Sequence, residues 1–323
     1  MSEFRKDPLH NKWVLTVPGR GKRPNAFSYE KSEEEGKADR KNCPFCEGNE
    51  SMTPPEVDSF REKGKEDEPG WLVRVFPNKY PALNEKTNIG VLKNEFPDIV
   101  EGYGFHEVIA ETPSHEKDIY SMNQDELLLV LKMYRKRYKI LKKKKKIKSV
   151  FIFKNHGISA GASLLHSHSQ ILALPLVPPF MAEETEMIKK AKSCIYCRLI
   201  EKAYEGNRVL LESRGFIVFA PYASEYPYQL LILPRIHQPF FEEEEDEQLT
   251  ILADVIKDVF IRYKKLLGAI PFNYFFNTPY MEKGHWNIQI MPKLTITAGF
   301  EKGTGISINP IPPENAVMEL KRF

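Results

Sequence analysis

The chain has 323 residues, of which 41% are apolar and 28% charged, and its formal net charge is +3. This length and composition are typical of a soluble globular protein with two domains of ordinary size. No uncharged apolar stretch reaches the roughly 18 residues that span a bilayer, which excludes a helical membrane protein. The small basic excess gives no reason to expect a nucleic-acid partner. The amino terminus lacks the apolar core of an export signal, so we expect a cytoplasmic protein.

Two stretches with apolar residues at helical spacing predict helices near residues 123–146 and 247–267. A lysine run, 142–146, follows the first stripe, and an acidic run, 242–247, opens the second helix. Both runs complement the helix dipole, so we interpret them as solvated helix ends; the alternative is a nucleic-acid-binding lysine patch. The stripes consist of Leu127, Leu131, Tyr134, Tyr138 and Leu141, and of Leu249, Leu252, Ile256, Val259, Tyr263 and Leu266.

The four cysteines form two CxxC pairs, Cys43 with Cys46 in NCPFCEGN and Cys194 with Cys197 in SCIYCRLI. In a cytosolic chain this spacing is more typical of thiolates that converge on a metal than of disulfides. A CxxC pair alone is weak evidence, however. Each pair therefore needs further ligands elsewhere in the sequence.

The same series of elements follows each CxxC pair. The first series is WLVRVFPNKYPAL, HEVIAETPSH, a helix, FIFKN and HSHSQ; the second is FIVFAPYA, QLLILPRIH, a helix, YFFN and HWNIQ. The order is the same and the intervals are nearly equal, which chance explains poorly. The sequence therefore predicts two copies of one design, each made of strands, a helix and further strands.

Each copy supplies two cysteines and two histidines, the set that Zn²⁺ binds as a closed tetrahedron in structural sites. We predict two structural zinc sites. The alternative is that the cysteines are free thiols and the histidines ordinary surface or core residues. The first predicted site consists of Cys43, Cys46, His115 and His166, and the second consists of Cys194, Cys197, His237 and His285.

His168 and Gln170 are the predicted catalytic residues. In a strand they share a face with His166, and His168 stays free when His166 binds zinc. The second copy has Asn287 at the position of His168. An asparagine cannot attack phosphorus and later depart, whereas a neutral imidazole can when its other nitrogen keeps an oriented hydrogen. The first half is therefore predicted to carry the chemistry; the alternative is that His168 is an inert residue that supports the zinc.

The preceding segment KNHGISAGAS, residues 154–163, is predicted to bind phosphate. Gly161 allows backbone amides to approach closely, and Ser163 offers a hydroxyl. Gln170 is uncharged at any pH, so it can donate to a phosphate oxygen without protonating a covalent intermediate. A glycine-containing loop is often only a turn, and its position next to His168 is what favours the phosphate-binding interpretation.

The CxxC pairs, ETPSH, KNHGISAGASLLHSHSQ and the closing AGFEKGTGISINPIPPE together resemble the galactose-1-phosphate uridylyltransferase family of the histidine-triad superfamily. The early KDPLHNKWVLTVPGRGKRP is similar to the family's opening motif, so the resemblance covers nearly the whole chain. It implies an α+β fold of two tandem histidine-triad-like half-barrels, residues 1–185 and 186–323, with antiparallel sheets, helices packed outside, and a homodimer. It also implies ping-pong transfer, in which His168 takes the nucleotidyl group of UDP-glucose and delivers it to a second hexose-1-phosphate such as galactose-1-phosphate.

The resemblance further implies a set of substrate contacts: Asn78 at the nucleoside, Asn155 and Ser163 at the phosphates, Arg20 and Arg23 near the diphosphate, and Phe300 and Glu301 near the hexose. In some members of the family the last two are reached across the dimer interface. Hydrolases of the superfamily carry a third histidine where Gln170 stands. The glutamine fits transfer to an acceptor in preference to water.

Two features depart from the better-known bacterial enzymes. Those have HPHGQ where this chain has HSHSQ, and their second metal site differs from the one predicted here. Both features resemble the branch that includes plant ADP-glucose phosphorylase, which transfers an adenylyl group to phosphate. The same histidine serves both branches, so uridylyl and adenylyl transfer both stay open. The alternative from another class is a zinc-stabilised nucleic-acid-binding protein.

Overall fold

The computed structural model describes residues 2–10, 12–18, 40–86, 91–92, 99–100 and 102–323. The strands are β1 (Glu3–Lys6), β2 (Trp13–Thr16), β3 (Asp58–Arg61), β4 (Trp71–Pro77), β5 (Val91–Leu92), β6 (Ile99–Val100), β7 (Phe105–Ala110), β8 (Ser149–His156), β9 (His168–Leu174), β10 (Val209–Glu212), β11 (Phe216–Phe219), β12 (Leu230–Pro234), β13 (Phe272–Asn277), β14 (Asn287–Pro292) and β15 (Ser307–Asn309). The helices are α1 (Gln124–Lys142), α2 (Pro179–Lys190), α3 (Ile195–Glu205), α4 (Asp246–Leu267), α5 (Gly299–Thr304) and α6 (Pro313–Leu320).

Ten of these strands form one sheet in the order β10-β11-β12-β14-β13-β8-β9-β7-β4-β3, with antiparallel neighbours throughout. Each half of the chain contributes five strands, and the order within the two halves is the same. The halves meet where β8 pairs with β13, and Phe153 lies opposite Phe275 there. The predicted α+β fold of two tandem units is confirmed, with the units joined edge to edge.

The two halves also correspond in register. Gln170 on β9 and Gln289 on β14 each lie opposite the central phenylalanine of their own half. His168 and Asn287 each stand two residues before the glutamine of their own half. Asn287 is therefore the structural counterpart of His168, as the sequence repeat predicted. Because side chains alternate along a strand, these four residues all lie on one face of the sheet.

Helices α1 and α4 pack side by side on the opposite face, where their apolar stripes contact the strands of both halves. The Asn123 side chain caps α1 by accepting from the Glu126 N–H, and the Glu126 carboxylate accepts from the Asn123 N–H. The helix ends at Lys142, short of the predicted 146. Consecutive lysines repel one another and supply no apolar face that could pack on the sheet.

The lysine run and the acidic run meet in the folded chain. The side chains of Lys142 and Glu242 form an ion pair between the end of α1 and the segment before α4. Glu244 is buried and accepts a hydrogen bond from the indole N–H of Trp286 at 2.7 Å. Glu242 is buried as well. The interpretation of the acidic run as fully solvated is therefore wrong for these two glutamates, because they bind partners from other elements.

The face of the sheet that carries His168 is covered unevenly. In the second half it lies under α3, in a cluster of Leu9, Tyr196, Ile200, Ala203, Ile217, Phe219, Leu231 and Leu233. In the first half the same face carries His168 and Gln170, with the ring of Phe45 edge-on to His168 at 5.2 Å between centroids. The candidate site therefore lies on the part of this face that α3 does not cover.

A three-stranded sheet ties the amino-terminal strands to the carboxyl-terminal region, since β2 pairs antiparallel with β1 and parallel with β15. Arg5 on β1 also binds Glu314 at the start of α6, with Nη1 2.9 Å from Oε1. The strands β5 and β6 form a separate ribbon. The predicted domain boundary near residue 185 falls within α2 and stays a prediction. Within the described ranges, every helix is too short or too polar to cross a membrane.

Candidate active site

Cys43, Cys46, His115 and His166 come together from three separate segments. The two cysteines share a turn, closed by the N–H of Cys46, which donates to the carbonyl oxygen of Cys43 at 3.2 Å. Cys46 Sγ lies 3.1 Å from His115 Nδ1 and 3.6 Å from His166 Nδ1. All four ligand atoms lie within 4.8 Å of one another. The first predicted metal cluster is therefore assembled by the fold.

This donor set fits a tetrahedral Zn²⁺. Bond lengths near 2.3 Å to sulfur and about 2.0 Å to nitrogen place neighbouring ligands about 3.6 Å apart, close to the separations found here. His166 Nε2 lies 2.7 Å from the carbonyl oxygen of Thr112, so Nε2 carries the hydrogen and the Nδ1 lone pair faces the sulfur. Burial lowers the pKa of His166 to about 4. The ring is therefore neutral, as metal binding requires.

The second cluster has the same chemistry in a more open setting. Cys197 Sγ lies 3.8 Å from His237 Nδ1 and 3.9 Å from His285 Nδ1, and Cys194 Sγ lies 4.0 Å from His285 Nδ1. His237 Nε2 donates to the carbonyl oxygen of Glu282 at 2.7 Å, which again leaves Nδ1 for a metal. His237 is exposed. The four donors also lie within 4.8 Å of one another.

The thiols themselves need a cation to act as ligands. Burial raises the pKa of Cys46 to about 12 and that of Cys197 to about 12, and the neighbouring cysteine of each pair adds to the rise. Two adjacent thiolates would repel one another without a nearby positive charge. A metal ion supplies that charge, so the donor chemistry of both clusters fits zinc.

His168 is the first residue of β9, and its ring is fixed by the preceding ligand. Its Nδ1 lies 2.8 Å from the carbonyl oxygen of His166. A carbonyl can only accept, so the hydrogen is on Nδ1 and the lone pair is on Nε2. In the described part of the chain, no residue forms a hydrogen bond with Nε2. Burial lowers the pKa of His168, so the ring is neutral and offers one free nucleophilic nitrogen.

The predicted phosphate-binding loop follows β8, and a residue of the second half holds it. The side-chain amide of Asn273, on β13, donates to Asn155 Oδ1 and to the carbonyl oxygen of Ala160, both at 2.8 Å. Gly161 has a φ of 90°, and a Cβ there would lie 3.7 Å from Asn155 Nδ2. Asn155 and Gly161 are therefore brought together, while Ser163 is exposed and lies further along the loop.

Gln170 and Asn78 meet at His106, a residue that the sequence analysis missed. His106 Nε2 lies 2.7 Å from Gln170 Oε1 and 3.2 Å from Asn78 Nδ2. The signal was present in the sequence, because His106 lies on the strand before His115 at the start of HEVIAETPSH. Pairing of β7 with β9 then sets it beside Gln170.

Phe300 and Glu301 are not brought to this cluster. Both lie on α5, where Phe300 is 45% exposed and Glu301 accepts the backbone N–H of Ala298 at 3.2 Å. Among the described residues, no hydrogen bond or ring contact connects them with His168. The predicted contacts Arg20 and Arg23 lie outside the described residues.

The family model described as "Galactose-1-phosphate uridyl transferase, N-terminal domain" matches residues 1–178, more than half of the chain. The chain belongs to the galactose-1-phosphate uridylyltransferase family. A second model, described only as a domain of unknown function, matches residues 120–321. The first match covers most of the candidate catalytic half, including both histidines of the HSHSQ segment.

Known proteins similar to this family member include enzymes of two kinds. ADP-glucose phosphorylase of Arabidopsis thaliana is 34% identical over 99% of this chain and 92% of that protein. Galactose-1-phosphate uridylyltransferase of Thermotoga maritima is 29% identical over 99% of this chain and 98% of that protein. The crystal structure of the Arabidopsis thaliana phosphorylase with bound ADP-glucose superposes with a TM-score of 0.82 at 32% identity, covering 100% of this chain and 99% of that one. A uridylyltransferase structure gives a TM-score of 0.75 at 26% identity, covering 100% and 98%.

This member of the uridylyltransferase family has a buried charged cluster behind His168, on the helix-covered face of the sheet. Lys154 Nζ forms an ion pair with Glu111 and donates to Ser167 Oγ at 2.8 Å. The same Nζ lies 3.3 Å from the carbonyl oxygen of His168. The Tyr134 hydroxyl donates to Glu111 at 2.6 Å. Sequence analysis missed this cluster because its members are far apart along the chain.

The second half lacks this charge. In the register of the two halves, Phe276 is the counterpart of Lys154 and Trp286 is the counterpart of Ser167. Both counterparts belong to the apolar core. The buried ion pair therefore accompanies the half with His168 and is not a requirement of the shared fold.

Replacing Lys154 by methionine is expected to lower the free energy of unfolding by about 3–5 kcal/mol, because Glu111 would remain buried without its cation. The double variant Lys154→Met/Glu111→Gln removes both charges and is expected to recover most of that loss. Urea unfolding of the wild type and both variants at neutral pH measures the difference. Equal stability of the single and double variants would show that the pair is not the cause.

Proposed function

We propose that this protein is a nucleotidyltransferase that carries a nucleoside monophosphate on His168 between a nucleotide sugar and an acceptor. The observation that carries the proposal is the geometry of His168. Its ring is neutral, its Nδ1 hydrogen is held by the carbonyl oxygen of His166, and its Nε2 has no hydrogen-bond partner among the described residues. Asn287, the counterpart in the second half, has no such nitrogen, so the reaction belongs to the first half.

In the first step the Nε2 lone pair of His168 attacks the α-phosphorus of the donor. The bond from that phosphorus to the bridging oxygen breaks, and hexose-1-phosphate leaves with the electron pair. The ring becomes positively charged, and the carbonyl oxygen of His166 stabilises the Nδ1 hydrogen next to that charge. In the second step an acceptor oxygen attacks the same phosphorus, the P–N bond breaks, and the neutral imidazole returns. Gln170 donates to a phosphoryl oxygen in both steps.

Both metal clusters are proposed to hold structural Zn²⁺. When bound, the ion in the first cluster fixes the backbone of His166, whose carbonyl orients His168. Cys43, Cys46, His115 and His166 would complete a closed tetrahedron that leaves no position for substrate. The second cluster, Cys194, Cys197, His237 and His285, would stabilise the other half in the same way.

For the donor and acceptor we propose ADP-glucose and orthophosphate. The support is the similarity over 99% of this chain to a plant ADP-glucose phosphorylase at 34% identity. A structure of that enzyme with bound ADP-glucose also superposes over the full chain. Transfer of AMP from His168 to orthophosphate would then release ADP.

The second candidate is the uridylyl transfer that the family resemblance implies, from UDP-glucose to galactose-1-phosphate. It is supported by the family match over residues 1–178 and by the 29% identity to the Thermotoga maritima uridylyltransferase over nearly its full length. The two candidates use the same residues and differ only in the base and the acceptor.

Half-reactions with each nucleotide sugar separate the candidates. The protein is incubated with ADP-glucose or UDP-glucose labelled in the α-phosphate, without an acceptor, and quenched in base, in which a phosphoramidate survives. ADP-glucose is expected to leave more label on the protein, and orthophosphate is expected to release that label as ADP. Labelling by UDP-glucose with release by galactose-1-phosphate would support the second candidate. A folded protein that neither donor labels would reject both.

The remaining partner expectations follow from the family. We propose a homodimer, which sedimentation velocity tests directly. A nucleic-acid-binding role has little support, because the chain belongs to an enzyme family and part of the lysine run is used inside the chain, where Lys142 binds Glu242.

A further inference from the structure

His106 contacts the candidate site but has no role in the transfer steps described above. It lies on β7, and its two ring nitrogens contact a backbone nitrogen and a side-chain oxygen. Nδ1 lies 3.1 Å from the backbone nitrogen of Ala82, and Nε2 lies 2.7 Å from Gln170 Oε1. The histidine therefore connects the backbone of the segment after β4 with the side chain beside the proposed nucleophile.

These contacts assign the hydrogen of the His106 ring. The backbone N–H of Ala82 can only donate, so His106 Nδ1 must accept and carries no hydrogen. The hydrogen of the neutral ring is then on Nε2, which donates to Gln170 Oε1. Asn78 Nδ2, also a donor, lies 3.2 Å from Nε2 as a packing contact. Burial lowers the pKa of His106, which favours this neutral ring.

The direction of this hydrogen bond decides which end of the Gln170 amide, the oxygen or the nitrogen, is available to a substrate. An amide has an accepting oxygen and a donating nitrogen, and the two ends exchange by a simple flip. Because His106 uses the oxygen, the nitrogen of Gln170 is directed away from His106, and no described residue accepts its hydrogens. A flipped amide would present an oxygen to the oxygens of a phosphoryl group, which would be repulsive.

We infer that His106 is a positioning residue that holds the Gln170 amide with its nitrogen donating to the phosphoryl group carried by His168. The inference rests on the proposed function and deepens it. It assigns the recognition of the transferred phosphoryl group to a relay from the Ala82 backbone through His106 to Gln170.

The second half supports this assignment by contrast. Its glutamine, Gln289, is the counterpart of Gln170. Leu231 lies opposite Gln289 as Val108 lies opposite Gln170, so Gln229, two residues before Leu231, is the counterpart of His106. Gln229 Oε1 accepts the backbone N–H groups of Glu225 at 2.7 Å and Tyr226 at 3.3 Å. That side chain is committed to a turn and no hydrogen bond joins it to Gln289. Within the described residues, the relay occurs only in the half with the nucleophile.

A pair of matched variants tests the relay. His106→Gln keeps a donor near the position of Nε2, and His106→Leu keeps a similar volume without a donor. The leucine variant is expected to slow labelling of the protein by the nucleotide sugar about tenfold, the effect of one lost hydrogen bond, and the glutamine variant is expected to restore most of the rate. Thermal unfolding of both variants controls for a purely structural loss. Equal labelling rates for both variants would overturn the inference.

A double-mutant cycle with Gln170→Ala shows whether His106 acts through the glutamine. The expected result is that His106→Leu slows the wild type but changes the rate of the Gln170→Ala protein by less than about twofold, because the amide that it orients is gone. Independent, multiplicative losses would contradict the relay. Both single variants are expected to keep their zinc, which metal analysis checks.

The ring hydrogen can be tested without turnover, which separates this inference from the proposed function. The ¹⁵N chemical shifts of the His106 ring in the zinc-loaded, substrate-free protein are expected to show hydrogen on Nε2 and none on Nδ1. The His106→Gln variant identifies the resonances by their loss. Hydrogen on Nδ1 would overturn the relay even if transfer occurs. Hydrogen on Nε2 in a protein that no nucleotide sugar labels would reject the proposed function alone.

Discussion

His168→Asn is expected to reduce nucleotidyl transfer by about four orders of magnitude or more, because the covalent intermediate can no longer form. Asparagine is a well-matched replacement in this fold. Asn287 stands at the corresponding position of the second half, where its Nδ2 donates to the carbonyl oxygen of His285 at 3.2 Å. That contact repeats the one between His168 and His166. The variant should therefore keep the strand and lose only the nucleophile.

Steady-state transfer and thermal unfolding, measured on the same preparations, test this prediction. The melting temperature and zinc content of His168→Asn are expected to match those of the wild type. A variant that melts early would make its lost activity uninformative, and His168→Ala then serves as the second replacement. Transfer at a tenth of the wild-type rate or more in a stable variant would show that His168 is not the nucleophile.

Cys46→Ser and His115→Ala are expected to lose the first metal and about 4 kcal/mol or more of unfolding free energy, because binding at a structural zinc site contributes directly to folding. Neither residue touches His168 by a hydrogen bond, so the two changes remove the metal without removing the nucleophile. His166→Ala is expected to behave in the same way. Each of the two clusters combines two thiols and two imidazoles within 4.8 Å.

Zinc content per chain and urea unfolding measure the effect of these changes. Each variant is expected to hold one zinc equivalent fewer than the wild type. Cys197→Ser in the second cluster is the matched control, because it should lose one equivalent while retaining an intact first cluster. Full zinc content together with unchanged stability in Cys46→Ser would contradict the structural role.

The repeat and the two Cys/His clusters could be predicted from sequence because both depend on residue spacing. Period-two alternation put His168 and Gln170 on one face, although His166 lies just before β9 and not in the strand as predicted. The CxxC spacing marked the turns that present two sulfurs. The intervals between the histidines then set corresponding positions in two copies of one unit. The joined sheet, with Phe153 opposite Phe275 at its centre, has the symmetry that these intervals indicated.

The polar clusters around His168 could not be predicted, because they depend on pairing between distant strands. The sequence pattern includes Lys154 in the predicted phosphate-binding segment, whereas the fold buries it against Glu111 behind the nucleophile. Likewise, Asn273 reaches Asn155 from the other half of the chain. The burial of Glu242 and Glu244 in the acidic run could not be predicted either. Their charge is evident from the sequence, but their partners are brought to them only by the fold.

The covalent step is the centre of this account, and mapping the label tests it most directly. The protein is mixed briefly with α-phosphate-labelled ADP-glucose or UDP-glucose, quenched in base, digested and sequenced by mass spectrometry. The account predicts a nucleoside monophosphate on the peptide that contains HSHSQ, attached to His168 and released by the acceptor. Transfer that proceeds with no label on this peptide, or with the label on another residue, would contradict it.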